Sequence, residues 1–439
     1  MNWQDSAPAV ELHAPRRRRI RTCLPIVAAL IMAAGMWSFF DHVLIPLQEA
    51  EAARKNSPRG NASDLYPPWL GARELLLHRR DPYSAEVNVD IQRGFWGRSI
   101  DRHNPNDPPE AIFAHPLYVV FVLAPTVSLP FDSVRILYIA VAVALSVTSV
   151  WCWLRLYGEA GSVVRIAVAS ILFLGSYPFV QALHSQQLTL LVAALVAGSM
   201  AAIAGGALWV AGIMLALATI KPHMIAAVAG WLLLWAASGW RERKALCISF
   251  AVTMTVLFIG AELLLPGWIW KWRELVSVYL RYEPLPRVQV QVMFGNNFGT
   301  AVGVALSLAL GVFCWRTRFD SASTDRFKLV PALILTTYLL VSPVWHNYDH
   351  VLLLPAALLG FHWRDRFHEL KPFEGAVVGL SAVALAWQWI AALVVSVTMF
   401  VSPALAQREQ ILPWLSILLV PASALISLFL LARVRLRRI

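Results

Sequence analysis

Charge is scarce in this sequence. Only 14% of its 439 residues are Asp, Glu, Lys or Arg, against roughly 25% in an average soluble protein, which excludes a freely soluble globular chain. Cysteine is scarcer still. Cys23, Cys152, Cys247 and Cys314 all lie within apolar segments or at their edges, leaving neither a disulfide framework nor metal-ligand spacing. Phosphate-binding glycine loops are missing as well: no G-x-x-x-x-G-K-[ST] occurs, no G-x-G-x-x-G follows a strand, and no polar segment is long enough for a nucleotide-binding domain. An activated donor must then come through the membrane, which points to a lipid-carried substrate. No cleavage site precedes the first apolar run, residues 22–47, so that run is read as an uncleaved membrane helix.

What the chain does have is apolar surface. Hydrophobic residues make up 58% of it and mean hydropathy is +0.60, the profile of an all-α, polytopic membrane protein. The 37 Lys and Arg outnumber 26 Asp and Glu for a net charge of +11, but they cluster in short loops between apolar runs. Such clusters mark topology, not nucleic acid. With Arg16 to Arg19, Arg21 and the basic stretches 240–244, 316–328, 364–371 and 433–438 inside, the positive-inside rule threads about 12 transmembrane helices through one integral domain, residues 1–439. The crossings after the first are expected near 132–153, 166–183, 188–204, 207–220, 222–238, 245–265, 297–315, 329–341, 346–361, 375–400 and 412–432. Residues 48–111 and 266–296 then form external loops, the second bearing Trp268, Trp270 and Trp272 as an interfacial aromatic belt. The run 112–129 disturbs the alternation if it crosses. Pro116, Pro125 and Pro130 interrupt it, which favours a re-entrant or half-buried segment over a full crossing.

The first external loop holds the stretch around which the chain is organised. Asp64 stands just ahead of Pro67 and Pro68, and prolines suit a first helical turn, so its side chain is expected near a helix N-terminus. Trp69, Leu70, Leu76 and Leu77 share one side of that helix with Arg73 and Arg80, an arrangement compatible with an interfacial helix whose arginines snorkel. On this topology the outer ends of unrelated spans carry Asp64, Asp81, Glu110, His115, His184, Gln186, Gln187, Lys221, His223, Asn296, Asn297, His346, Asp349 and His350, while the inner ends carry mostly Arg and Lys. Ionisable groups at the mouths of apolar segments are costly and mark functional paths, so this gathering suggests one external site.

Each member also has a plainer reading. Asp64 could only cap its helix, Lys221 could only snorkel, and Gln186, Gln187, Asn296 and Asn297 could only satisfy helix ends. Asp81-Pro82-Tyr83 reads as a turn. His346 and His350 are four apart and on a helix would share a face, but Asn347-Tyr348-Asp349 between them lacks the glutamate of H-E-x-x-H, so no metal is expected.

Several short motifs occur in a recognisable order: Asp64-Leu-Tyr, Gly71-Ala, Asp81-Pro-Tyr83, the run Phe113 to Tyr118, Gln186-Gln-Leu188, Ile220-Lys-Pro-His223 and the run Ser342 to His346. From Asp64 to about Pro355 the chain resembles glycosyltransferase family 87, membrane enzymes that include polyprenol-phosphate-mannose-dependent mannosyltransferases. The resemblance implies a GT-C type fold and inverting transfer of a sugar, mannose being the one expected, from a polyprenyl phosphate donor to a lipid or glycan acceptor. It implies no cofactor. The chain would act as a multi-pass protein of the cell membrane, with its site on the external, periplasmic face and membrane lipids as neighbours. Asp64 matches the family's general base, which takes the acceptor proton while cations stabilise the departing phosphate. Lys221, His346 and His350 are the expected phosphate-binding groups, and Asp81, His115, Gln186, Gln187 and Asn296 the expected substrate-binding ones. A transporter or flippase of a lipid-linked sugar could use the same polar cluster, but it should show inverted repeats with matching broken helices. A sensor or scaffold would need no base.

Overall fold

The computed structural model describes residues 14–54, 60–101, 107–108, 111–282, 287–343, 346–415 and 418–436. Glu110 lies outside them. All regular structure among the described residues is helical. Among the described residues, six helical segments are long and apolar enough to cross a bilayer: Cys23–Arg54, Phe131–Leu156, Trp240–Leu264, Asn296–Thr317, Pro372–Val401 and Pro403–Leu436. Val163–Leu174 and Tyr177–His184, bent by 59°, make a seventh if they are one broken span. The chain is therefore a membrane protein with six such helices where charge alternation predicts about 12 crossings. The difference arises because Thr189–Ala204, Leu208–Ile220 and Pro222–Ser238 are apolar but short. At about 1.5 Å per residue, a 16-residue helix reaches roughly 24 Å of the hydrocarbon's ~30 Å.

Residues 112–129 hold only a five-residue helix, Val119–Leu123, followed by a 3-10 turn, Ala124–Thr126. Five helical residues rise about 8 Å, so no continuous helix crosses here. The segment instead packs into the protein interior. Val119, Val120 and Leu123 are buried in the main core, and the helix Tyr66–His78 packs upon it, Trp69 Nε1 donating to Thr126 O and Arg73 to Val127 O. Gly71 makes that contact possible, because a Cβ there would come within 2.2 Å of the Phe113 ring. The helix thus turns its Trp69 face to protein and leaves Leu77 exposed.

The stretch 266–296 contains an amphipathic helix, Trp268–Tyr282. Its three tryptophans do not form one belt: Trp268 is buried, Trp272 donates to Ala114 O, and Trp270 alone is 68% exposed. Helical spacing separates Trp270 from the other two, since residues two apart point to different sides while Trp268 and Trp272, four apart, share one.

The ends of the bundle differ in charge. Near the C-terminal end of Phe131–Leu156, Glu159 pairs with Arg165 and His362; Arg435 with Asp325 and Arg433 with Glu374 form two further pairs at helix ends. At the other end Tyr138, two turns into the same helix, donates to the Gln187 carbonyl. That end is where four helix breaks meet.

Candidate active site

Each break supplies one polar residue. Asp64 lies just before the Tyr66–His78 helix, which has Pro67 and Pro68 in its first turn as expected; its N-cap is Leu65, with no side-chain cap bond. The Asp64 carboxylate is not spent on capping. Its backbone N–H donates to Ser185 O at 2.8 Å, fixing the loop on the turn that joins Tyr177–His184 to Thr189–Ala204. Gln186 occupies the left-handed region there, φ 50°, and this aims Gln187 back toward Asp64. Lys221 stands between the 3-10 turn Ala218–Ile220 and the helix Pro222–Ser238. Asp349 lies in the 3-10 helix Asn347–Leu353.

These residues are joined by an unbroken chain of hydrogen bonds. Gln187 Nε2 donates to Asp64 Oδ2 at 2.5 Å. Lys221 Nζ donates to Gln187 Oε1 and to Thr189 Oγ1, both at 2.8 Å. Thr189 Oγ1 in turn donates to Asp349 Oδ1 at 3.3 Å, and Asp349 Oδ2 accepts the His346 backbone N–H at 3.0 Å. A carboxylate and an ammonium are thus held one amide apart, with a second carboxylate behind the ammonium. Burial raises the Asp64 carboxyl above its usual range, opposed by the Gln187 hydrogen bond and the charges of Lys221 and His346. A carboxylate displaced toward neutrality is a better base near neutral pH than an ordinary one.

Of the other expected site residues, His346 belongs to this cluster. Its exposed ring stacks on Tyr348, centroids 4.8 Å apart, with Nδ1 at 3.8 Å from Asp349 Oδ2. His115 is near enough to Lys221 and His223 to feel their charge, and burial with those charges pushes its imidazole down to about 3, so it is neutral. Its Nδ1 is buried without a hydrogen-bond partner. Gln187 has both ends of its amide committed to protein groups, which makes it a bridge. Gln186 Nε2 is committed to Leu183 O and His184 O, closing a helix end.

His350 does not share a face with His346. The segment is a 3-10 helix with three residues per turn, so positions four apart diverge by about 120°; His350 is buried against Gln289, Nε2 to Nε2 at 3.1 Å. Asp81 accepts the Tyr83 N–H and pairs with Lys271 of the Trp268–Tyr282 helix at 2.7 Å. Asn296 is exposed at the start of Asn296–Thr317, away from the chain of bonds. No group of three or more His, Cys, Asp or Glu able to hold a metal occurs among the described residues. Thr189 and the bridging role of Asp349 were not foreseen. A threonine opening an apolar helix gives no sequence signal, whereas Asp349 was visible as an acid beside two histidines.

The sequence model of glycosyltransferase family 87 matches residues 113–343, more than half of the chain. It includes His115, Gln187, Thr189 and Lys221, begins after Asp64 and ends before His346 and Asp349. No curated protein matches the chain.

Proposed function

Because the chain belongs to glycosyltransferase family 87 and is a glycosyltransferase, we propose that it moves a sugar from a polyprenyl phosphate to a hydroxyl of a lipid or glycan acceptor, with inversion and with Asp64 as general base. The observation that carries this reading is the Asp64–Gln187–Lys221 chain. It presents a proton acceptor and a cation to one space, as a transfer that makes a proton at one end and a phosphate dianion at the other requires.

The step balances as follows. The acceptor oxygen attacks the anomeric carbon as its proton passes to Asp64. The bond from that carbon to the phosphate oxygen breaks, and its electron pair leaves with the polyprenyl phosphate, whose charge goes from minus one to minus two. Lys221 neutralises that gain as a point charge, and His346, when protonated, adds a second donor. Asp81, His115, Asn296 and His350 remain candidate substrate or phosphate contacts; His115, neutral and with a free ring nitrogen, is the best placed of these to bond a sugar hydroxyl.

The external face is favoured by charge. Basic residues gather at the far end of the bundle, where the positive-inside rule puts the cytoplasm of a cell membrane, and Asp64 is at the opposite end. A GT-C type arrangement is part of the same proposal, a single domain with residues 48–111 and 266–296 outside. Counting the bent pair, the three shorter apolar helices, Asp325–Val341 and the helical run 347–362 as crossings brings the total to about 12. Mannose is the sugar we propose, through the family resemblance. The test is direct: purified protein in nanodiscs should release polyprenyl phosphate from polyprenyl phosphate mannose in the presence of acceptor lipids, and no release from any polyprenyl phosphate sugar would remove the donor assignment.

A further inference from the structure

Behind Lys221 lies a carboxylate that the reaction just described does not use. Asp349 is 1% exposed. A buried carboxylate is costly unless paired and hydrogen-bonded, and here both oxygens are occupied: Oδ1 by the Thr189 hydroxyl, Oδ2 by the His346 backbone N–H. Thr189 is itself fully buried and accepts from Lys221, so its single proton must point elsewhere. The alternatives are Asp349 Oδ1 at 3.3 Å and the Met224 sulfur at 3.7 Å, and a carboxylate is much the stronger acceptor. The hydroxyl therefore relays between ammonium and carboxylate.

The charges explain why such a relay is needed. Lys221 is surrounded by Asp64 from the outer loop, His115 from the turn before Val119–Leu123, His223 on its own helix, and His346, Tyr348 and Asp349 from the segment opposite. Only the two aspartates are anions. During transfer Asp64 takes up a proton and its charge vanishes. We propose that Asp349, acting through Thr189, is the permanent counter-ion of Lys221, a positioning residue that keeps the ammonium charged and aimed at the donor phosphate while Asp64 is free to change its protonation. The same carboxylate accepts the His346 N–H, so it also sets the turn that presents the His346 ring. This rests on the donor reading above.

The experiment measures binding of farnesyl phosphate, a short polyprenyl monophosphate, to the full-length protein in nanodiscs as a function of pH. The ligand's own titration is common to all variants and cancels. Lys221→Met is the control for the donor reading: if it leaves affinity at the wild-type value, Lys221 does not hold the phosphate and that reading fails, taking this one with it. If Lys221→Met weakens binding, the positioning role is tested separately. Asp349→Asn removes the counter-charge, so the ammonium gives up its proton at lower pH. Binding should then be near wild type at low pH and fail about one pH unit earlier than in the wild type, roughly a tenfold loss on the alkaline side. Thr189→Val, which keeps shape and removes the relay, should move the midpoint in the same direction, Thr189→Ser should restore it, and Thr189→Val added to Asp349→Asn should move it little further. Thr189→Val carries the test if Asp349→Asn does not fold. An affinity loss equal at every pH would make Asp349 a purely structural residue and overturn the inference, as would wild-type behaviour in Thr189→Val.

Discussion

Gln187→Met isolates the bridge between Asp64, the proposed base, and Lys221. Methionine is as long and unbranched as glutamine, so the turn at Ser185 should persist, but the amide that donates to Asp64 and accepts from Lys221 is gone. A hydrogen bond to a charged group is worth about 1.5–3 kcal/mol, and one pKa unit corresponds to about 1.36 kcal/mol, so losing the donor should raise the Asp64 carboxyl by roughly 1–2 units. The sign follows from which form is active. A base works deprotonated, Asp64 is already raised by burial, and removing a bond that favours the carboxylate raises it further. The acid limb of kcat/KM against pH should therefore move to higher pH by about that amount, with activity partly recovered at alkaline pH. Release of polyprenyl phosphate from a fixed donor across a pH series measures it. An acid limb that stays in place while the rate falls uniformly would refute the idea that Gln187 acts on Asp64.

Other perturbations follow from the same geometry. Lys221→Met should lower turnover by roughly 10- to 150-fold, the worth of one charge-assisted contact on a departing phosphate; unchanged donor affinity and unchanged turnover would leave Lys221 a snorkelling side chain. Asp64→Asn should stabilise the protein at neutral pH. A carboxyl raised on folding makes the folded state bind more protons, so wild-type stability falls as pH rises from the unfolded to the folded value, and a thermal-shift series in detergent should show the variant gaining over wild type in that window and above it, not below. Gly212→Ala should lower the melting temperature, because a Cβ there meets Ser249 Oγ at 2.0 Å and Leu246 O at 2.4 Å, overpacking that typically costs about 1–3 kcal/mol; a variant as stable as wild type would show that the Leu208–Leu217 and Trp240–Leu264 helices are free to separate. Single cysteines near Asp107 and near Asp132, in a background without native cysteines, should both react with an impermeant thiol reagent from outside, since residues 112–129 contain no crossing helix; labelling of the first alone would require a crossing.

Much of this was legible because apolar membrane segments leave few places for polar groups. Asp64 ahead of two prolines, Lys221 at a Lys-Pro break and Gln187 at a turn stand out against aliphatic surroundings, and the structure brings these three together. What sequence could not give was which of two adjacent glutamines faces the site. That is decided by one left-handed residue, Gln186, whose conformation no local composition dictates. The shared face expected for His346 and His350 assumes α-helical spacing, whereas the chain forms a 3-10 helix there, with His350 packed against Gln289. A similar limit applies to the spans: hydropathy locates apolar runs, whereas where the helix within each run starts, ends or bends, as at the 59° break before Tyr177, is set by packing. Thr189 lies beyond sequence reasoning, since its role depends on Lys221 and Asp349, distant in the chain and adjacent in space.

The proposed role of Asp64 as the base of a glycosyl transfer is open to direct test. Asp64→Asn keeps the shape and the acceptor oxygen but removes basicity, and its measurement is single-turnover transfer from polyprenyl phosphate mannose in nanodiscs beside donor binding in the same preparation. Transfer should fall about 10²- to 10⁴-fold with donor binding retained, whereas transfer near the wild-type rate would show that Asp64 is not the base.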